Sequence, residues 1–306
     1  MNQTENRNRL TGHVLALLTV LAWGTSYIIT KKLFAQLPSV QILWIRFLTA
    51  YGLLWILYPK WHFNLREEGF FLLAGVLANT LNFLFENGAL LYTQSSNVSI
   101  IASTIPIVTA VLLRFVDGTR VGRKQGTGYL IALVGVILVV FNGVLLLRLN
   151  PLGDLLAFLA TVSWSVYTIL MRKRVHLYDD FLIARKLMFY GLITITPVML
   201  IRDGFPDISV VSAWPNWIML LHLGLVCSGI CYVTWSSAMR RIGVLTLNIY
   251  LYAMPLFTLV AGAVFLGEKI TWMGIAGMIL VCAGMLLGTV RGPDTDIGQT
   301  EERIEG

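Results

Sequence analysis

Ten apolar segments of about 20 residues each take up most of this 306-residue chain. A transmembrane helix needs about 20 predominantly apolar residues to cross the hydrocarbon core, and within a bilayer only helices or closed barrels satisfy their own backbone hydrogen bonds. We therefore predict an all-α integral membrane protein with ten transmembrane helices. Numbered as spans 1 to 10, the segments are 12–30, 40–58, 69–92, 97–116, 127–147, 152–171, 181–201, 216–238, 244–266 and 271–290.

Composition and charge agree with this prediction. Apolar residues make up 57% of the chain and charged residues 13%, against roughly 45–50% and 25% in soluble domains. Fifteen of the 23 Lys and Arg residues fall on one side of the membrane if the N-terminus is cytoplasmic, and five fall on the other. Because positive residues are retained inside, we predict a multi-pass plasma (inner) membrane protein with both termini cytoplasmic. The net charge of +7 then gives no indication of nucleic-acid binding.

The two halves of the chain repeat each other. An offset of 149 pairs Pro106 with Pro255, Thr109 with Thr258, Gly128 with Gly277 and Gly135 with Gly284, and an offset of 139 pairs Arg46 with Arg185. We predict repeats at 12–147 and 152–290, flanked by short polar cytoplasmic tails at 1–11 and 291–306. Since each repeat holds five spans, the second enters the membrane from the opposite side. Inverted repeats of this kind are typical of secondary transporters, which expose a midplane site alternately to each side.

The repeat motifs resemble a known family. The second half carries Pro255-x-x-Thr258, the run Phe265-Leu266-Gly267-Glu268-Lys269-Ile270-Thr271, and Gly277 with Gly284. The first half carries Ala22-Trp23-Gly24-Thr25-Ser26, Arg46, and Ala89-Leu90-x-Tyr92-Thr93 leading to Pro106. Together they resemble the EamA type of the drug/metabolite transporter superfamily.

That resemblance implies ten helices in a 5+5 inverted repeat, and movement, mostly export, of small polar metabolites such as amino acids. It also implies a central cavity between spans 3, 4, 8 and 9, with spans 1 and 6 nearby. The chain departs from the pattern at Asp117-Gly118-Thr119, where the second repeat has Leu266-Gly267-Glu268. Only Glu268 can therefore carry a role attached to the Gly-Glu step of the family.

Polar residues inside spans are the first candidates for the cavity lining, because such groups prefer the bundle interior or water. On span 3, Asn79, Asn82 and Glu86 follow helical spacing and predict one inward-facing stripe. The alternative for the two asparagines is that they only bond across helices. Span 4 offers Ser99 and Ser103, and span 9 offers their repeat partners. We predict that a ligand binds between the Ser99/Ser103 pair and the Asn248/Tyr252 pair.

Aromatic residues form a second candidate lining: Trp23 and Tyr27 on span 1, Trp164 and Tyr167 on span 6, and Tyr232 and Trp235 on span 8. Their faces accept apolar groups or attract an ammonium group. For any one of them, structural packing or a place at the membrane interface is the alternative. Pro106 and Pro255, which pair at the repeat offset, predict helix kinks at matched depth. We predict that these kinks have a conformational role; the alternative is that the prolines only pack.

Glu86 is the acidic residue placed well within a span. Insertion of a charged side chain costs about 2.5–3.5 kcal/mol at a helix centre, so the residue is expected to have a use or a partner. Desolvation favours its neutral form, whereas a cationic ligand or Arg46 favours the carboxylate. Three roles stay open: proton coupling of export, a fixed counter-charge for a substrate ammonium or for Arg46, and a structural ion pair.

Several chemistries find no support in the sequence. No CxxC or clustered His completes a metal site, and no P-loop is present, so we expect no metal, no cofactor, no catalytic residues and no enzymatic activity. The expected partners are a small-molecule substrate and the lipid bilayer, with protons as a candidate coupling ion. The competing hypothesis is an intramembrane sensor or enzyme without transport activity, which would need a reactive cluster such as paired carboxylates.

Overall fold

The computed structural model describes residues 3–93, 95–142, 150–266 and 269–289, and all regular structure in these ranges is helical. Ten helices correspond to the predicted spans: α1 (Gln3–Leu33), α2 (Ser39–Leu57), α3 (Leu65–Tyr92), α4 (Asn97–Asp117), α5 (Arg123–Phe141), α6 (Pro151–Arg172), α7 (Asp180–Arg202), α8 (Asn216–Ile242), α9 (Val244–Val264) and α10 (Trp272–Gly288). A short helix, Ile208–Ser212, lies between α7 and α8.

Nine of these described helices are long and apolar enough to cross a membrane. The prediction of an all-helical membrane protein is therefore confirmed. The tenth, α10, is apolar but has 17 residues, which corresponds to roughly 26 Å at about 1.5 Å per residue; the count of ten full spans stays a prediction. The predicted N-terminal tail differs in structure, because α1 begins at Gln3 and its polar first turns continue the apolar helix.

Helix neighbours follow a two-fold pattern. Helix α1 packs against α8 and α9, and correspondingly α6 packs against α3 and α4. Helix α2 packs against α7 and α8, and correspondingly α7 packs against α2 and α3. Exchanging each helix of the first half for its counterpart in the second therefore reproduces these neighbours.

Glycines bring α5 and α10 into backbone contact. A Cβ added at Gly128 would lie 2.6 Å from the Gly284 carbonyl oxygen, and one added at Gly135 would lie 2.8 Å from the Gly277 oxygen. The converse distances are 2.7 Å from Gly284 to the Gly128 oxygen and 2.6 Å from Gly277 to the Gly135 oxygen. The helices are antiparallel, and the contact maps onto itself when repeat partners are exchanged. Small residues allow this approach within a membrane, where packing rather than hydrophobicity drives association.

Four other helices are interrupted. A π-helical segment occupies Val76–Leu81 in α3, and another occupies His222–Ile230 in α8. At the offset of 149, residues 76–81 correspond to 225–230, so the two segments overlap when the chain is aligned at that offset. Such π segments often occur at functional sites.

The interruptions of α4 and α9 also coincide. The first piece of α4 ends at Ala102 and the second is Ile105–Asp117, whereas α9 changes to a 3-10 stretch at Ile249–Ala253. Pro106 and Pro255 each stand at the start of the α-helical piece that follows. Proline lacks the N–H that an α-helix requires in its interior, which accounts for the break at matched positions. The conformational role of the prolines stays a prediction.

Candidate functional site

Five of the six predicted aromatic residues meet in one place. Ring centroids lie 5.0 Å apart for Trp23 and Trp235, 5.6 Å for Trp23 and Trp164, 5.2 Å for Trp164 and Tyr167, and 5.9 Å for Trp23 and Tyr232. All five side chains are buried, and they come from α1, α6 and α8. We call this group the central aromatic cluster.

Two members of the cluster have their polar groups occupied by protein. The indole nitrogen of Trp23 donates to the Cys227 carbonyl at 2.8 Å, and the Tyr232 hydroxyl donates to the Asn79 side-chain oxygen at 2.7 Å. These bonds hold α1 against α8, and α3 against α8. They fix the positions of the two rings.

The other three members have no such bond. The indole N–H groups of Trp164 and Trp235 and the hydroxyl of Tyr167 find no hydrogen-bond partner among the residues that the structure describes. A buried hydrogen-bond donor that has no acceptor costs about 1–3 kcal/mol of stability. An indole N–H can only donate. The cluster therefore presents buried donors to whatever acceptor enters it.

Two residues of the predicted polar stripe on α3 bond to different neighbouring helices. The side-chain nitrogen of Asn79 donates to the Leu187 carbonyl of α7 at 2.8 Å, whereas that of Asn82 donates to the Ala160 carbonyl of α6 at 3.0 Å. The π-helical segment changes the angular spacing of the residues that it contains, so α-helical periodicity alone does not give the relative directions of these two side chains, and the inward-facing stripe stays a prediction. Both asparagines make the interhelical bonds of the alternative interpretation. Glu86 is half-buried on the next turns of α3, and its role stays a prediction.

The two predicted binding pairs on α4 and α9 use their polar groups in different ways. The Ser103 hydroxyl donates to the Ser99 carbonyl of its own helix at 2.7 Å. Asn248 donates to the Thr109 hydroxyl on α4 at 3.0 Å. The Asn248 oxygen and the Tyr252 hydroxyl are buried without a hydrogen-bond partner within the described ranges. A ligand between the two pairs stays a prediction, and the structure places Thr109 opposite Asn248.

One buried ionic cluster was not predicted from the sequence. Glu68 forms an ion pair with Lys186 and accepts a hydrogen bond from the Tyr190 hydroxyl, which links α3 to α7. The predicted span began at residue 69 and left Glu68 outside. The signal that identifies it is Asn64, whose side chain caps α3 by accepting from the Arg66 N–H at 3.3 Å, because such a cap places the acids that follow within the first turn.

Some predicted residues lie outside the described set. Glu268 and Gln94 are not described, nor is the side chain of Tyr27. Among the described residues, no group of three or more His, Cys, Asp or Glu could hold a metal ion.

Comparison with known proteins gives consistent matches over nearly the whole chain. The model of the EamA-like transporter family matches residues 10–141 and 151–290. An uncharacterized transporter of Archaeoglobus fulgidus is 30% identical over 294 residues, covering 91% of this chain and 97% of its own. A probable amino-acid metabolite efflux pump of Salmonella typhimurium is 24% identical, covering 89% and 93%. A crystal structure superposes with a TM-score of 0.74 at 19% identity over 93% of this chain and 96% of that one, which shows a shared fold.

Proposed function

Since the chain belongs to the EamA-like transporter family, we propose that it is a secondary transporter that exports small polar metabolites such as amino acids by alternating access. The central aromatic cluster is the proposed substrate site. Export of amino-acid metabolites is suggested by two relatives, the probable efflux pumps of Salmonella typhimurium and Escherichia coli, each 24% identical to this chain.

The observation that carries the proposal is the set of unpartnered donors in the cluster. Trp164, Trp235 and Tyr167 are buried, yet their donors have no acceptor within the described part of the chain. A transported ligand supplies such acceptors during the part of the cycle in which it is bound. Binding sites for small molecules combine apolar and aromatic walls with a few placed polar groups, and this cluster has that composition.

Alternating access is supported by the two-fold arrangement of helix neighbours and by the matched interruptions. We propose that 12–147 and 152–290 are inverted repeats that rock about the cluster. Helices α3, α4, α8 and α9 carry the interruptions, and a helix bends most readily where its hydrogen-bond ladder is broken. Glu86, half-buried on α3, is the proposed proton-coupling group or ammonium counter-charge.

The proposed topology has both termini cytoplasmic in the plasma membrane. Contacts at the end that carries most of the basic residues include Arg172 with Asp117 at 2.6 Å and Arg240 with Asp180 at 2.7 Å. Cysteine labelling in intact cells is expected to reach a reporter placed near Gln94 but neither terminus. A cytoplasmic reporter at that position, in a protein whose flanking fusions are intact, contradicts the inverted topology.

The function itself is tested by comparing the metabolites released by cells with and without the protein, followed by transport of the released compounds in proteoliposomes. We expect a small set of polar metabolites, amino acids among them, to leave the cell faster when the protein is present. Purified protein that is folded and reconstituted but moves none of these compounds contradicts the proposal. That result leaves the hypothesis of an intramembrane sensor or enzyme.

A further inference from the structure

Two arginines at equivalent positions of the repeats have different surroundings. Arg185 on α7 bonds to protein through both terminal nitrogens, which donate to the carbonyls of Tyr58 and Lys60, each at 2.6 Å, and its guanidinium lies 4.2 Å from the centre of the Trp55 ring. These contacts tie α7 to the residues that follow α2. Arg185 therefore has an evident structural role.

Arg46 on α2 is buried to a similar degree, with 6% of its surface exposed against 3% for Arg185. Its Nε donates to the Ser228 hydroxyl of α8, and its guanidinium lies 5.0 Å from the centre of the Phe83 ring. Among the residues that the structure describes, the Ser228 hydroxyl is the acceptor found for this guanidinium, and the ion pairs of those residues do not include Arg46. A guanidinium stays charged and has five N–H donors, so most of its hydrogen-bonding capacity is unused.

Arg46, with its unused N–H donors, lies beside the proposed substrate site. Ser228, which accepts from Arg46, precedes Tyr232 of the central aromatic cluster by one helical turn. The unpartnered N–H of Trp235 lies on the same helix, and that of Trp164 lies on a ring 6.2 Å from the Trp235 ring, centre to centre. A permanent cation and neutral donors therefore surround one region.

These groups complement a carboxylate. Arginine binds a carboxylate through two parallel charge-assisted hydrogen bonds, which are stronger than bonds between neutral groups. A buried cation in a membrane protein is costly unless it is paired. A ligand carboxylate supplies acceptors for the unused N–H donors of the guanidinium, and the aromatic rings accept the apolar body attached to it.

We propose that Arg46 is the carboxylate-binding residue of the transport site, so that the substrates are small carboxylic acids with an apolar or aromatic body, α-amino acids included. This proposal rests on the proposed transport function. It makes Arg46 a specificity determinant that distinguishes an acid from the corresponding amide or amine.

Competition in proteoliposomes tests the proposal on the wild-type protein. Uptake of labelled phenylalanine or leucine is measured while the unlabelled acid, its amide or its decarboxylated amine competes. We expect the acid to compete at least about tenfold better than the amide or the amine, as for loss of a charge-assisted hydrogen bond. Equal competition by acid and amide overturns the proposal, and this result needs no variant.

Variants provide the second test. Arg46→Gln is expected to lose about 10- to 100-fold in apparent affinity for the acid and little for the amide, and Arg46→Lys is expected to lie between. Arg185→Lys is the matched control, because it changes a buried arginine of the other repeat and is expected to keep the acid preference. Folded Arg46→Gln protein that still prefers the acid overturns the proposal.

Failure of the proposed function gives a different result. If wild-type vesicles move neither phenylalanine, leucine nor their amides, transport of amino acids is contradicted. Quenching of tryptophan fluorescence by phenylacetate and phenylacetamide then tests Arg46 separately, because Trp23, Trp164 and Trp235 adjoin the region. A carboxylate site is supported if phenylacetate quenches more than the amide in the wild-type protein. This excess is expected to weaken in Arg46→Lys and to disappear in Arg46→Gln. Equal responses overturn it.

Discussion

Helices α5 and α10 differ from the interrupted helices α3, α4, α8 and α9 in how they satisfy the same requirement of helix packing in a membrane. The first pair is regular throughout and joins backbone to backbone through Gly128, Gly135, Gly277 and Gly284. The second group breaks its regular hydrogen bonding at matched positions and joins neighbours through side chains such as Asn79 and Asn82.

The difference indicates that the two groups of helices have different roles in the fold. A backbone contact between glycines leaves no side chain that could change rotamer and adapt to a new arrangement, so α5 and α10 are expected to move as one unit. Interrupted helices have locally altered hydrogen bonding and spacing, and they can change curvature at small cost. The central aromatic cluster lies on α8 and on α1 and α6, and these two helices pack against the other interrupted helices: α1 against α9, and α6 against α3 and α4.

The largest expected effect concerns the contact between α5 and α10. Gly284→Leu places a side chain where a Cβ alone would clash with the Ala132 nitrogen and lie 2.7 Å from the Gly128 oxygen. Overpacking of this kind costs about 3 kcal/mol or more, and we expect most of the folded protein to be lost in detergent chromatography and thermal melts. Gly52→Leu is the control, because a Cβ at Gly52 meets no atom within 4 Å. Equal melting of both variants shows that the glycine contact does not determine the fold.

The second-largest expected effect distinguishes a residue of the ligand site from a residue that only stabilises the fold. Tyr167→Phe removes a buried hydroxyl without a described partner, so stability is expected to stay constant or rise while transport falls about tenfold or more. Tyr129→Phe removes a hydroxyl that donates to the Leu245 carbonyl at 3.0 Å. It is expected to lose about 1 kcal/mol of stability with little change in transport. Melting temperature and uptake rate are measured on both. A Tyr167→Phe protein that transports normally removes its hydroxyl from the site.

A smaller effect tests whether the interruptions assist movement. Pro255→Ala restores an N–H that can donate to the Leu251 carbonyl and continue the α-helix. We expect turnover to slow several-fold while the apparent substrate affinity changes little. Pro197→Ala is the control, since Pro197 lies inside the otherwise regular α7. If both substitutions slow turnover equally, or neither does, the comparison between regular and interrupted helices does not describe the transport cycle.

The smallest effect at any single pH is expected for Glu86→Gln. The substitution preserves shape and hydrogen bonding and removes a titratable group, so membrane insertion should be unchanged. If Glu86 couples transport to protons, the dependence of flux on pH disappears; if it is a counter-charge, the preference for cationic groups disappears. Initial rates over a pH series and a substrate panel measure both. Wild-type rate, pH profile and substrate range leave only the structural role.

Hydropathy was sufficient to predict where the helices lie, because the bilayer imposes length and apolarity on each span independently. The predicted span 2, at 40–58, agrees with Ser39–Leu57, and span 7, at 181–201, agrees with Asp180–Arg202. The repeat offset likewise predicted the paired glycines and prolines, since residues required by backbone geometry cannot be exchanged freely.

The details of the site could be predicted only in part. The aromatic residues Trp23, Trp164 and Trp235 were identifiable as large amphipathic side chains inside spans, and the structure brings them together. The π-helical segment of α3 depends on contacts with α6 and α7 that lie far away in the sequence. For that reason the hydrogen-bond partners of Asn79 and Asn82 could not be predicted. The different surroundings of Arg46 and Arg185 likewise could not be inferred from their equivalent positions.

The glycine contact between α5 and α10 has a consequence for biosynthesis. Helix α5 is the last of the first half, and its partner is the last helix of the second. The ribosome must therefore make residues 142–271 before the glycine face of α5 meets the helix that covers it. Until then the nascent chain holds that face toward lipid or toward a chaperone of the insertion machinery. Loss of α10 by truncation leaves the first half incomplete as well, and quality-control proteases are expected to remove such a chain.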